Sequence, residues 1–431
     1  MNRWKKSAIS LSALVLAAGA VLLVFSLQPE IAPVAPPQAS QFSAEQIARG
    51  KTLAALGDCK VCHTRAGGQV DAGGMAFNTQ FGTIYSSNIT PDVATGIGSW
   101  SYPAFKRAMR YGINREGHYL YPAFPYTSFT LTLDDDLQDL YAWLMVQPAV
   151  NYRPPKTELH FPFNIRQGMF AWNWLFLTPG PFAVNPQQSE EWNRGAYLGE
   201  SLGHCSACHS PRNLAGAEKG GSHHLSGGIV DGWRVPALNS HSPAPIVWNH
   251  QQLMEYMRNG FATSHGVAAG PMAPVIAEGL SQLPEDDLKA MATWLASFQP
   301  PWPDHSKEVS NQAEQQMMQA NSPGARQFAG SCMACHAQNT GPKLYGVHPS
   351  LMLNSNLYSD SPDNLIRIVL DGIQHPASAE LGSMPGFRYQ LNNQQIAVLL
   401  NYLRTDLAQH ASWPDLLNRI EQIRQQTEGK S

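Results

Sequence analysis

Apolar residues recur at helical spacing in three places along the chain, and each time the run stops on a glycine. Phe105-Lys106-Arg107-Ala108-Met109-Arg110, Leu253-Met254-Glu255-Tyr256-Met257-Arg258 and Leu365-Ile366-Arg367-Ile368-Val369-Leu370 end at Gly112, Gly260 and Gly372. Glycine is the usual helix stop because it enters left-handed backbone without a steric penalty. A further amphipathic run closes each stretch: Asp135-Asp136-Leu137 through Trp143-Leu144, Asp286-Asp287-Leu288 through Trp294-Leu295, and Gln395-Ile396 through Tyr402-Leu403. In each, an aromatic stands six residues after the Leu or Ile and a leucine seven. The acids at 134–136 and 285–287 suit helix starts, where the macrodipole favours negative charge. Earlier runs at Arg49-Gly50, Arg194-Gly195-Ala196-Tyr197-Leu198 and Gly324-Ala325-Arg326 read as a first helix. The pattern predicts an all-α chain of three helical repeats, and 431 residues divided by about 150 per domain agrees with it.

A different pattern opens the chain. Arg3, Lys5 and Lys6 precede an uncharged stretch from Ser7 to Leu27, followed by a Pro/Ala-rich run. A spanning helix needs about 20 apolar residues and a secretory signal only about 7–15, so the stretch predicts an N-terminal transmembrane helix, with a cleaved signal as the alternative. Positive charge on the amino side keeps that end in the cytoplasm. The expected location is the bacterial cytoplasmic (inner) membrane, with the rest of the chain on the periplasmic side.

The expected division is 1–30 for the anchor or signal, 31–43 for a linker, 44–150 for the first domain, 151–189 for a linker or strap, 190–300 for the second domain, 301–321 for a linker, 322–407 for the third domain and 408–431 for a tail helix. Met169 to Leu177 is apolar but too short to span a bilayer. It reads as a strap between domains, or as a contact for a membrane surface or partner. Leu416 to Gln426 reads as an amphipathic helix that could contact a partner.

The chemistry lies at the cysteines. All six fall in three Cys-x-x-Cys-His strings: Cys59, Cys62 and His63; Cys205, Cys208 and His209; Cys332, Cys335 and His336. This is the attachment pattern of c-type haem, in which two thiols bond the porphyrin and the histidine ligates iron. On one helical turn, two intervening residues bring the sulfurs under adjacent pyrroles and the next side chain points at the metal. A redox dithiol, a half zinc site or a disulfide explains one such string poorly and three badly. The cofactor expectation is three covalently bound haem c groups, each with its iron.

A low-spin haem takes a second axial ligand, often methionine. Counting twelve residues from the glycines that end two of the amphipathic runs reaches Met272 from Gly260 and Met384 from Gly372, each beside a proline. The same count from Gly112 reaches Phe124, which cannot ligate iron. Either the first haem is five-coordinate, or Met75, Met109 or His118 supplies the ligand from elsewhere.

At 43% hydrophobic and 10% aromatic the chain can build cores, while 14% charged residues is low for a freely soluble protein. A net charge of −3 without a basic block argues against nucleic acid as a partner. No G-x-G-x-x-G opens a helix, and no Walker sequence is present. His223-His224 tempts a metal reading, but no third ligand lies at suitable spacing, and a solvated loop pair explains it better.

Residues 44–407 resemble the triple-haem cytochrome c subunits of membrane-bound periplasmic dehydrogenases, among them the quinoprotein alcohol and flavin-dependent gluconate dehydrogenases. The strings that carry this are Phe81-Gly82-Thr83-Ile84-Tyr85-Ser86-Ser87-Asn88-Ile89-Thr90-Pro91-Asp92, Tyr121-Pro122-Ala123-Phe124-Pro125-Tyr126 and Gly203-His204-Cys205-Ser206-Ala207-Cys208-His209-Ser210-Pro211-Arg212-Asn213. In the alcohol and gluconate branches the second string carries a ligating methionine where Phe124 stands here, so that role does not carry over. The Phe variant, with the segment from Ser242-Pro243-Ala244-Pro245 to His265-Gly266-Val267-Ala268-Ala269-Gly270-Pro271-Met272, is more similar to the cytochrome subunits of molybdenum hydroxylases acting on aldehydes or N-heteroaromatics such as nicotinate or isoquinoline. The resemblance implies electrons arriving from a catalytic subunit with molybdopterin and iron–sulfur centres and leaving to a quinone or terminal oxidase. No catalytic residues are expected in the chain itself. A haem peroxidase or a gas sensor at the first haem stays as the alternative.

Overall fold

The computed structural model of the protein describes residues 28–300, 321–336 and 346–427. The expected anchor at its apolar stretch, and the linker 301–321 apart from its last residue, lie outside the described residues. The chain divides into two compact units: Met1–Val184 with Glu200–His204 and Asn213–Ala217, and Asn185–Gly199 with Cys205–Arg212 and Glu218–Ser431.

In the first unit the helix Ala44–Leu56 starts at a reciprocal cap, Ser43 accepting from the Gln46 amide while the Gln46 side chain accepts from Ser43. It crosses the helix Asp134–Met145 so closely that a Cβ on Gly50 would land on the Asp139 carbonyl and 2.7 Å from the Trp143 Cβ. Only a glycine admits that approach. Arg49, one residue before, bonds the Asp139 carboxylate through Nε at 2.6 Å and Nη2 at 3.2 Å. The helix Tyr102–Tyr111, capped by Ser101 and stopped by Gly112 at φ +62°, packs Phe105 and Met109 inward. Strands β1 (Ala76–Thr79), β2 (Gly82–Tyr85) and β3 (Glu158–Leu159) form a small antiparallel sheet with Ala76 opposite Tyr85 and Gly82 opposite Leu159.

The second unit repeats the crossing twice. A Cβ on Gly195, in the helix Glu190–Glu200, would fall on the Ala290 carbonyl and 2.9 Å from the Trp294 Cβ of the helix Glu285–Ala296. Arg194 bonds Asp287 twice, at 2.8 and 3.0 Å. A Cβ on Gly324, in the helix Pro323–Ser331, would fall on the Tyr402 Cβ and 2.9 Å from the Val398 carbonyl. Helices His250–Asn259 and Asp363–Asp371 end at Gly260 and Gly372, φ +73° and +72°. The run 416–426 forms the helix Leu416–Thr427, whose Ile420 and Ile423 are fully buried in the core built by Phe328, Ile366, Ile396 and Leu400. Its apolar face is therefore used within its own unit.

Two expectations are corrected here. The chain is not all-α: besides the three-stranded sheet, the second unit holds the hairpins β4–β5 (Gly228–Val230, Trp233–Val235) and β6–β7 (Phe261–Ala262, Gly266–Val267). β4–β5 turns on Asp231-Gly232, both at positive φ (46° and 78°), which is the two-residue turn that matches strand twist. Second, no helix among the described residues is long and apolar enough to cross a membrane. The longest has 13 residues, a span of about 20 Å against a hydrocarbon core of about 30 Å. The expected span of the inner membrane is therefore not shown by any helix of the described residues.

Candidate haem sites

Each Cys-x-x-Cys-His string forms one short helical turn: Cys59–His63, Cys205–His209 and Met333–His336. In the first two, the residue before the first cysteine, Asp58 or His204, takes left-handed backbone (φ 51° and 34°), which breaks the preceding helix and starts the new turn in a different direction. The third turn is tied to its helix by Cys332 N–H donating to the Phe328 carbonyl at 2.8 Å.

The three histidines share one constraint. His63 Nδ1 donates to the Ser87 carbonyl at 2.6 Å, His209 Nδ1 to the Pro236 carbonyl at 2.8 Å, and His336 Nδ1 to the Pro349 carbonyl at 3.4 Å, a long contact. A carbonyl only accepts, so Nδ1 carries the proton and Nε2 keeps its lone pair for a metal. This is the usual way a protein orients a ligating imidazole. Burial lowers the pKa of all three, His209 to about 4, with the backbone bond opposing the shift, so each ring is neutral and ready to ligate near pH 7. In two sites the chain also returns identically. The Gly73 amide donates to the His63 carbonyl at 2.6 Å and the Gly227 amide to the His209 carbonyl at 2.7 Å.

Among the described residues no three His, Cys, Asp or Glu side chains converge on a point where they could hold a bare metal ion. One imidazole per site suits an iron whose equatorial ligands come from a porphyrin. His223 lies in a short turn, and the ring of His224 stands 5.8 Å from that of Phe298.

In the stretches that carry Phe124, Met272 and Met384, each loop is bonded back to the glycine that stops the preceding helix or to the residue after it. Leu120 N–H donates to the Gly112 carbonyl at 2.7 Å and Ala268 N–H to the Gly260 carbonyl at 2.8 Å, while Ile373 and Met384 exchange both backbone bonds at 2.9 and 3.1 Å. Met272 begins the turn Met272–Pro274 and is partly buried, as is Met384. Phe124 is partly buried beside Tyr126, Trp172 and Ala217. Of the other candidates, His118 is exposed, and Met109 lies inside the core at 5% exposure. Met75 exchanges bonds with Ser86, the neighbour of the residue whose carbonyl holds His63. The strap forms the helix Met169–Phe176. Trp172 Nε1 donates to the Ala215 carbonyl, Tyr126 Oη donates to Asn173 Oδ1 at 2.6 Å, and Asn173 Nδ2 donates to the Tyr111 carbonyl at 3.0 Å.

The sequence reading missed the three carbonyl acceptors, which follow their histidines by 24, 27 and 13 residues and so leave no fixed spacing to find. It also missed Asp58 and Asp71, two buried acids that flank Cys59 and each carry an oxygen without a hydrogen-bond partner.

Comparison with known proteins decides the family. The chain is 34% identical over 409 residues to the fructose dehydrogenase cytochrome subunit of Gluconobacter japonicus, covering 89% of this chain and 83% of that one. It belongs to the cytochrome c subunits of dehydrogenases. Another such subunit, of gluconate 2-dehydrogenase from Pantoea cypripedii, is 36% identical over 379 residues, covering 83% of this chain and 85% of its own. The cytochrome c family matches residues 322–406. A subunit of the nicotinate dehydrogenase of Pseudomonas putida is 49% identical over 409 residues, covering 95% of this chain and 34% of its own, so the chain spans about a third of that relative's length. As a cytochrome c subunit of this family, the chain carries covalently bound haem c and transfers electrons in a dehydrogenase complex.

Proposed function

We propose that this cytochrome subunit holds three haems c. They would attach at Cys59 and Cys62, Cys205 and Cys208, and Cys332 and Cys335, with His63, His209 and His336 on the three irons and Met272 and Met384 opposite the latter two. The domains would be 44–150, 190–300 and 322–407. The observation that carries this reading is the recurrence of a histidine, directly after Cys-x-x-Cys, whose Nδ1 is held by a backbone carbonyl. The haems supply the one-electron chemistry when bound. The chain fixes each imidazole's tautomer and direction, and Met272 and Met384 would supply thioether sulfur to two of the irons.

The electron source fits a molybdopterin and iron–sulfur subunit acting on an N-heteroaromatic such as nicotinate, and the acceptor a quinone or terminal oxidase of a respiratory chain. The similarity to a nicotinate dehydrogenase subunit over 95% of the chain supports this source. Intact mass and the pyridine haemochrome of protein matured with its haem-attachment machinery test the first part: three haems per chain are expected, and two or fewer overturn the count. The subunit that co-purifies tests the second. A flavin or pyrroloquinoline-quinone partner would move the chain to the fructose, gluconate or alcohol branch and leave the relay in place.

A further inference from the structure

The hairpin β4–β5 lies beside the residue that holds His209 and against the loop that carries Met272. Immediately beyond β5, the carbonyl of Pro236 holds His209 Nδ1 at 2.8 Å. On β5 itself the Trp233 indole lies against Gly270, two residues before Met272, where a Cβ would come within 2.5 Å of the ring; Gly270 sits at φ +56°. The hairpin is held in turn by the helix Asp363–Asp371. Asn364 acts as a strand edge for it: Arg234 N–H donates to Asn364 Oδ1 at 2.9 Å, and Asn364 Nδ2 donates to the Arg234 carbonyl at 2.7 Å. Arg367 Nε donates to the Gly232 carbonyl at 3.2 Å, and Arg234 pairs with Asp363 at 3.4 Å. Asn364 and Arg367 are both buried.

We propose that Trp233 is a positioning residue for the Met272 thioether, and that Asn364, from the stretch around the third haem, sets the stiffness of the second haem's axial ligation by clamping this hairpin. The inference rests on reading Met272 as the ligand of that iron. A thioether is a weak ligand, and its bond survives only while its loop is held at the right distance. A flat ring against Gly270 limits how far the loop that carries Met272 can move, and the Asn364 clamp holds the strand that carries the ring.

The test uses the haem-loaded full chain and two readouts: the red methionine–iron absorption band, followed as pH rises until the thioether is displaced, and the potentials from a redox titration. Met272→Ala comes first. It removes one methionine band and lowers one potential; if no band is lost, the ligand reading itself fails. With that band assigned, Trp233→Leu lowers the pH at which it disappears by about one unit, a tenfold weaker bond, and lowers the same potential. Trp233→Phe, which keeps a flat face, restores most of both. Asn364→Ala moves the same band and potential in the same direction, although its residue belongs to the other haem's helix. If Met272→Ala removes the band while Trp233→Leu and Asn364→Ala leave its pH midpoint unchanged, the positioning role is overturned and the ligand stands. Should Trp233→Leu not accumulate, Asn364→Ala and Trp233→Phe decide the matter on the same two readouts.

Discussion

Phe124 stands edge-on to Phe129, their ring centroids 5.2 Å apart, at the place twelve residues beyond Gly112 where the corresponding loops carry Met272 and Met384. An aromatic ring offers iron no lone pair, so a haem attached at Cys59 and Cys62 would draw no sulfur from this position. Phe124→Met therefore gains a methionine–iron band and raises the lowest or the most ligand-reactive of the potentials, because thioether opposite imidazole favours the reduced iron. Optical titration of the variant beside the parent checks it. An unchanged set of bands would mean that another side chain already occupies that face.

The glycines at the helix crossings invert an ordinary rule. Alanine in place of an interior helical glycine usually stabilises by about 1 kcal/mol. At Gly195 the added methyl would fall on the Ala290 carbonyl, so Gly195→Ala destabilises by about 1–3 kcal/mol through overpacking, and Gly50→Ala and Gly324→Ala do the same. Gly220→Ala, where nothing lies within 4 Å, is the neutral comparison. Thermal unfolding of the loaded variants reads the difference, and a Gly195→Ala protein as stable as its parent would refute the close crossing.

Asn173 joins the strap to the segment that carries Phe124, accepting from Tyr126 and donating to the Tyr111 carbonyl. Tyr126 is fully buried, so Asn173→Ala strands its hydroxyl and costs about 1–3 kcal/mol. Protease cleavage within residues 160–180 should become faster in this variant, while a substitution of the exposed Trp174 by serine leaves cleavage unchanged.

Asp58 gives stability an unusual pH dependence. Burial raises its carboxyl pKa well above the ordinary 3.8, with Asp71 and Cys59 nearby, and its Oδ1 meets no partner. The folded protein therefore keeps a proton that the unfolded chain releases near pH 3.8. Stability is fully present below that value and falls as pH rises toward the folded pKa. Asp58→Asn, which also suits the left-handed backbone there, removes the loss and stabilises at pH 7 by about 1–3 kcal/mol. Melting profiles from pH 4 to 8 check this. Parallel curves for parent and variant would show that the carboxyl is ionised and satisfied in the fold.

Helix stops and the short Cys-x-x-Cys-His turns were legible because each depends on local chain chemistry. Gly112, Gly260 and Gly372 end helices where the 3.6-residue pattern ends, and the six-residue offset to Trp143, Trp294 and Tyr402 marks the aromatics that meet Gly50, Gly195 and Gly324. The hairpins were less visible, since β6–β7 pairs only two residues on each strand, too short for alternation to show. Val230-Asp231-Gly232-Trp233 did contain a turn signal, which the helical repeat pattern overshadowed. Ser87, Pro236 and Pro349 act through backbone oxygens, and a backbone oxygen has no residue-type signature.

That last feature bears on how such chains change over evolutionary time. Because the imidazole is steadied by a peptide oxygen at the far end of a stretch that has three different lengths here, insertions or deletions inside it leave that hold in place so long as its final residue returns to the same spot. Side-chain identity at the returning position is equally free. Lineages can thus remodel the outer rim of such a site while the imidazole keeps its tautomer and direction.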